Sequence, residues 1–105
     1  MNLEKNREVM IENQLRPNKI SNNEILQAFM STSKEKFISE DKINICYSDQ
    51  DISIKDQRGY LKNLHLAQII KYSKILPNDK VLHIGGLTGY FSVIISSLCE
   101  ELHVV

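Results

Sequence analysis

The stretch Val81-Leu82-His83-Ile84-Gly85-Gly86-Leu87-Thr88-Gly89-Tyr90 decides how this chain folds. A short, mostly apolar run of strand character enters a glycine-rich turn, and an apolar segment of helical length follows. A second strand-like run, Leu102-His103-Val104-Val105, closes the sequence. Strand, turn, helix and strand make one βαβ unit, whose connection calls for parallel strands. A turn of this kind sets backbone amides and the positive end of a helix dipole beside an anion or polar ligand. Neither the dinucleotide pattern G-x-G-x-x-G nor the P-loop lysine occurs. A turn serving structure alone accounts for the same residues.

Working upstream, Leu64, Leu66, Ala67, Ile69, Ile70 and Ile75 recur at helical spacing, and Leu76-Pro77-Asn78-Asp79 ends that helix. The run from Lys80 to Ile84 then reads as a buried strand. Nearer the N-terminus, Leu3, Met10, Ile11 and Leu15 predict an amphipathic helix that ends near Leu15, because the residue before Pro17 disfavours the helical region. Ser21-Asn22-Asn23-Glu24 fits a capping box, in which hydroxyl and carboxylate satisfy orphan amides of a second helix. Ile25, Leu26, Phe29 and Met30 form the core face of that helix. Between Ser31 and Leu61 the pattern loosens into short apolar pieces, with an alternating Ile52-Ser53-Ile54 after the turn Ser48-Asp49-Gln50-Asp51. A connecting segment of this length is either functional or poorly ordered, and both readings stay open. Asp51 and Asp56 are read as turn and surface carboxylates.

Composition narrows the function classes. The 105 residues suffice for one small domain, and 13 basic side chains balance 13 acidic ones. That balance gives no electrostatic footprint for nucleic acid. The mixed runs Lys34-Glu35-Lys36 and Glu40-Asp41-Lys42 are expected on a solvated surface. No run approaches the roughly 20 apolar residues of a membrane span. Two distant cysteines, Cys46 and Cys99, and a charged N-terminal segment point to the cytoplasm with free thiols, Cys99 being a small core hydrophobe. His65, His83 and His103 lack metal-ligand spacing, although His83 and His103 could sit on neighbouring strands; no metal site is expected.

The Gly85–Gly89 turn resembles the first motif of S-adenosylmethionine methyltransferases, an acid followed by three glycines at alternate positions. Met10-Ile11-Glu12-Asn13-Gln14-Leu15, Glu24-Ile25-Leu26-Gln27-Ala28-Phe29, Lys34-Glu35-Lys36-Phe37-Ile38 and Tyr47-Ser48-Asp49 resemble, in order and spacing, the N-terminal half of protein-L-isoaspartate O-methyltransferases. Gln14-Leu15-Arg16-Pro17 looks most like a divergent bacterial branch. The resemblance implies an α/β chain: a helical N-terminal cap and connecting segment over residues 1–62, then the first βαβ unit of an incomplete Rossmann-like fold over 63–105. It further implies a cytoplasmic repair enzyme that methylates isoaspartyl carboxylates of proteins with S-adenosylmethionine as cofactor. His83, Gly85, Gly86, Leu87 and Gly89 fall at the cofactor positions.

Three departures from the family pattern shape the expectation of activity. His83 stands where the family has its acid, and Leu87 replaces the middle glycine, at roughly 1–3 kcal/mol of strain if that position is left-handed. Gln57-Arg58-Gly59-Tyr60-Leu61-Lys62-Asn63 replaces a family segment that carries hydroxyls near substrate, so no catalytic residue carries over. The sequence also ends before the acid that grips the ribose in this fold, which leaves strand edges bare. The expectation is a family member inactive as it stands and weakly stable, with a broad unfolding transition. The alternative is a non-enzymatic interaction module that pairs through a strand edge, with a second copy or with a complementing C-terminal fragment.

Overall fold

The computed structural model describes residues 2–105. Helix α1 spans Leu3–Met10 and is capped by Asn2, whose side chain accepts from the Lys5 amide at 3.0 Å. The helical path runs on through one π-turn, Ile11–Leu15, and a 3-10 turn, Arg16–Asn18, before Lys19 stops it in the left-handed region at φ 69°. Pro17 is tolerated because it sits in the first turn of the 3-10 segment, where its missing N–H is not needed. Helix α2 spans Asn23–Met30 and starts at Asn22 with no side-chain cap, so the expected Ser21–Glu24 capping box does not form. Its driving force is instead the burial of Ile25, Leu26, Ala28 and Phe29.

The loose segment is ordered. Two 3-10 turns, Lys34–Phe37 and Glu40–Ile45, lead to an antiparallel hairpin of β1, Ile52–Lys55, and β2, Arg58–Tyr60. Asp56 and Gln57 turn that hairpin with φ of 51° and 63°, the left-handed pair that suits two-residue hairpin turns. Helix α3 spans Asn63–Ser73 and is stopped by Lys74 at φ 54°, so Ile75 lies beyond it. Strand β3, Lys80–His83, helix α4, Tyr90–Ser96, and strand β4, Glu101–Val104, complete the expected βαβ unit with parallel strands in the register Lys80↔Glu101 to His83↔Val104.

One core serves the whole chain. Met10, Leu15, Ile20, Phe29, Ile52, Ala67, Tyr90 and Ile94 are all almost completely buried, drawn from every helix and from the hairpin. Tyr90 is its hub, with the rings of Phe29, Phe37 and Tyr60 at centroid distances of 6.5, 6.0 and 5.7 Å.

Strand β3 corrects the expectation of a buried strand. Leu82 is 62% and Ile84 74% exposed, because α4 covers one face of the two-stranded sheet and leaves the other open. His83 pairs with Val104 and His103 with Leu82, so alternation sends the two imidazoles to opposite faces. The thiols correct a second expectation: Cys46 is the core hydrophobe and Cys99 is half-buried, both free. No described helix is long and apolar enough to cross a membrane.

The third correction concerns charge. Lys34-Glu35-Lys36 is not a solvated run, for Lys34 is fully buried and Glu35 is largely so. Glu35 accepts from the Tyr47 hydroxyl at 2.5 Å and from Arg7 at 3.1 Å, and Arg7 also donates to Tyr47, Ser33 and the Met30 carbonyl. Burial pushes the Glu35 carboxyl up, but Tyr47 and Arg7 outweigh it and hold the group below its usual range. Lys34 donates to Asn63 at 3.0 Å and lies 5.1 Å from the Tyr90 ring centroid. Burial lowers its pKa to about 8 against the attraction of Cys46 and Asp51.

Candidate functional site

The glycine turn joins β3 to α4, and its backbone explains its sequence. Gly85 and Gly89 hold φ of 82° and 102°, conformations that side chains rarely adopt. Leu87 sits at φ 52°, in the left-handed region, which is the condition under which leucine is strained at this position. Gly86 answers to packing, since a Cβ there would come within 2.6 Å of Val104 Cγ1. The amide of Gly85 donates to the Val105 carbonyl and that of Gly89 to Gly86, while the amides of Gly86 and Leu87 find no acceptor among the described residues. Two unpartnered donors on a glycine turn are the raw material for holding a polar ligand.

His83 faces elsewhere. Its Nδ1 lies 2.8 Å from Ser92 Oγ on α4, its ring stands edge-on to Phe91 at 5.5 Å, and with Ile69, Ile70 and Phe91 it lines a cleft of about 430 Å³. Burial lowers its pKa, so near neutral pH it carries no charge. The imidazole therefore supplies neither the anion of an acid nor a ligand-facing cation.

Sequence reasoning missed Tyr60, at the end of β2. Its ring is buried, and its hydroxyl accepts from the amides of Tyr90 at 3.0 Å and Thr88 at 3.1 Å. The same oxygen lies 2.9 Å from Thr88 Oγ1 and 3.4 Å from the Gly86 carbonyl. The segment 57–63 thus brings a hydroxyl to the turn after all, as a phenol fixed to the backbone. Available signals were its aromatic character at the end of a strand and the neighbouring Gly59, but neither says where the phenol reaches. Arg58, two residues earlier on β2, brings a guanidinium nitrogen to 3.8 Å from where a Gly85 Cβ would stand.

Asn63, at the start of α3, gathers the interior side of the site. Its Oδ1 accepts from Lys34 and from the Tyr90 hydroxyl, each at 3.0 Å, and its Nδ2 donates to the Cys46 carbonyl. Asp51 has a local role, accepting from the Lys62 amide at 2.8 Å, and Asp56 turns the hairpin. Among the described residues no group of three or more His, Cys, Asp or Glu could hold a metal.

The family model for protein-L-isoaspartate(D-aspartate) O-methyltransferase matches residues 4–105. A protein-L-isoaspartate O-methyltransferase of Protochlamydia amoebophila is 30% identical over 94 residues, covering 90% of this chain and 45% of the relative. One from Pelobacter propionicus is 24% identical over 105 residues, covering 100% of this chain and 49% of the relative. The chain thus spans about half the length of these curated relatives. Among solved structures, a protein-L-isoaspartate O-methyltransferase superposes with a TM-score of 0.75 at 22% identity, over 93% of this chain and 32% of that one. A Plasmodium falciparum protein described as a protein-L-isoaspartate O-methyltransferase, in complex with S-adenosyl-L-homocysteine, superposes at 0.71 and 19% identity, over 91% and 41%. The incomplete Rossmann-like α/β fold expected from the sequence is the fold observed.

Proposed function

We infer the function of this chain from one premise: it belongs to the protein-L-isoaspartate(D-aspartate) O-methyltransferase family. The Gly85–Gly89 turn is its S-adenosylmethionine-binding element, and the whole activity in which it takes part is methylation of isoaspartyl carboxylates in proteins. The observation that carries this reading is the pair of unpartnered amides at Gly86 and Leu87 on a turn with two left-handed glycines. When bound, S-adenosylmethionine supplies the electrophilic methyl group. The chain's own contribution is to hold and orient, the larger part of what an in-line displacement asks of a protein.

The residues fit that role on the backbone side and not on the side-chain side. Gly86 and Leu87 offer donors, but His83, neutral and tied to Ser92, offers no anion to the cofactor's positive groups. The only hydroxyl contributed by the segment 57–63 is Tyr60, and it is consumed by the turn itself. These 105 residues by themselves therefore bind the cofactor weakly and do not transfer its methyl group. The two free thiols support the cytoplasm as the compartment.

The test is calorimetric titration with S-adenosylhomocysteine, paired with methylation of an isoaspartyl peptide. Saturable binding without turnover is expected. No binding up to millimolar ligand overturns the cofactor reading, and turnover beyond stoichiometry overturns inactivity.

A second reading rests on the open face of the β3–β4 sheet. Leu82, Ile84 and Val105 are exposed there together, and a second copy or a complementing fragment that pairs with the strand edge would extend the sheet and bring its own elements over that face. Sedimentation of a strict monomer with no bound partner counts against it.

A further inference from the structure

We propose that the Tyr60 hydroxyl is the positioning group of the Gly85–Gly89 turn and that ligand affinity at the turn is set through it. The proposal rests on the cofactor reading above and adds a residue that touches the turn rather than the ligand.

The phenol is held rigidly from three sides. Its ring meets Tyr90 edge-on at 5.7 Å, and the buried Lys34 ammonium lies 5.9 Å from its centroid. Behind it, Gly59 is pressed so closely against Ile52 that no Cβ would fit. A hydroxyl has two lone pairs and one proton. Here the lone pairs take the Thr88 and Tyr90 amides, and the proton goes to Thr88 Oγ1, with the Gly86 carbonyl as the longer alternative.

Two consequences follow for the turn. The amides of Thr88 and Tyr90, at the entry to α4, are satisfied internally and withdrawn from any ligand. The amides of Gly86 and Leu87 remain unpartnered as the available pair. Leu87 keeps φ 52° against its own preference because the residues on both sides of it are tied, Thr88 by the Tyr60 oxygen and Gly86 by the Gly89 amide on its carbonyl. Without the hydroxyl, Leu87 is free to leave the left-handed region, and the unpartnered pair loses its alignment.

The test uses the full chain. In the wild type, amide hydrogen exchange at Thr88 and Tyr90 is expected to be at least tenfold slower than at Gly86 and Leu87. Equal rates at the four positions overturn the proposal without need of a variant. In Tyr60→Phe, which keeps the ring packing, exchange at Thr88 and Tyr90 is expected to accelerate about tenfold and their amide proton resonances to move upfield. The dissociation constant for S-adenosylhomocysteine is expected to rise roughly tenfold at a temperature where both proteins are folded, the scale of one buried hydrogen bond. A merely structural role would lower the melting temperature and leave that constant unchanged. Wild-type binding with unchanged affinity in Tyr60→Phe overturns the proposal alone. Absence of wild-type binding overturns the cofactor reading together with the affinity claim, and exchange still decides whether Tyr60 fixes the turn.

Discussion

The helical half of the molecule and its βαβ end are built to different standards. In the first, Arg7, Lys34, Glu35, Tyr47 and Asn63 are drawn into the interior and every charge there has a partner. In the second, α4 is packed on its inner face, yet the strands beside it contribute only half-buried Val81 and Leu102 to the core, and Leu82, Ile84 and Val105 face outward. The end that carries the recognisable motif is the less consolidated, and the end without a motif holds the fold together. Polar groups buried in a low-dielectric interior must be paired or they are expensive, whereas an apolar strand face open to water costs little in the folded monomer.

Arg7→Ala breaks this comparison most directly. It strips the partly buried Glu35 carboxylate of its counter-charge, leaving it only the Tyr47 hydroxyl, and a loss of about 3 kcal/mol is expected, read as the shift in urea midpoint. A loss below about 1 kcal/mol would show that the network is solvated and that the two halves do not differ. Gly59→Ala comes next. Its Cβ would drive into the Ile52 carbonyl, a backbone atom that cannot step aside, and about 2 kcal/mol of destabilisation is expected in the same measurement.

The buried lysine gives a smaller effect with a definite sign. The pKa of Lys34 is about 8 in the folded chain against an ordinary value of 10.5, so between them the unfolded chain holds the extra proton and stability rises with pH. Below that window both states are charged and the burial penalty is constant. Cys46, pushed from 9.0 up to about 11 by burial, and Tyr47, raised also by burial and by its hydrogen bond to Glu35, act in the opposite sense once pH passes 9.0. A gain of about 1 kcal/mol is therefore expected between about pH 7 and pH 9, and Lys34→Met should flatten it. A flat wild-type profile would place the ammonium in water.

Leu82→Asn is expected to move monomer stability by less than about 0.5 kcal/mol, since its side chain meets solvent already. If the sheet face pairs copies of the chain, the same change lowers the sedimentation coefficient towards that of a monomer. A large stability loss in a chain that stays monomeric would mean that the face is covered from within.

Much of the architecture was legible because it follows from local periodicity. The helix starting after Asn22, the helix carrying Leu64 to Ile70, and the strand-turn-helix-strand order each rest on residues a few positions apart. The capping box at Ser21 failed because caps are cheap, and tertiary burial of Ile25 and Phe29 sets the helix start without one. Lys34-Glu35-Lys36 was misread as surface because charge predicts exposure only when no partner waits inside. Arg7 and Tyr47 are 28 and 12 residues away from Glu35, and Asn63 is 29 from Lys34.

By itself the sequence determined the order of elements, the place of the glycine turn, and the family, since each is written in neighbouring residues or in their ordered spacing. Tertiary structure alone decided that His83 turns to Ser92, that Lys34 is interior, and that Tyr60 reaches across 28 residues to hold the Thr88 amide. Those outcomes depend on which groups become close after folding. A hydrogen bond acts only over about 3 Å, so no pattern along the chain can reveal it until the core has brought its partners together.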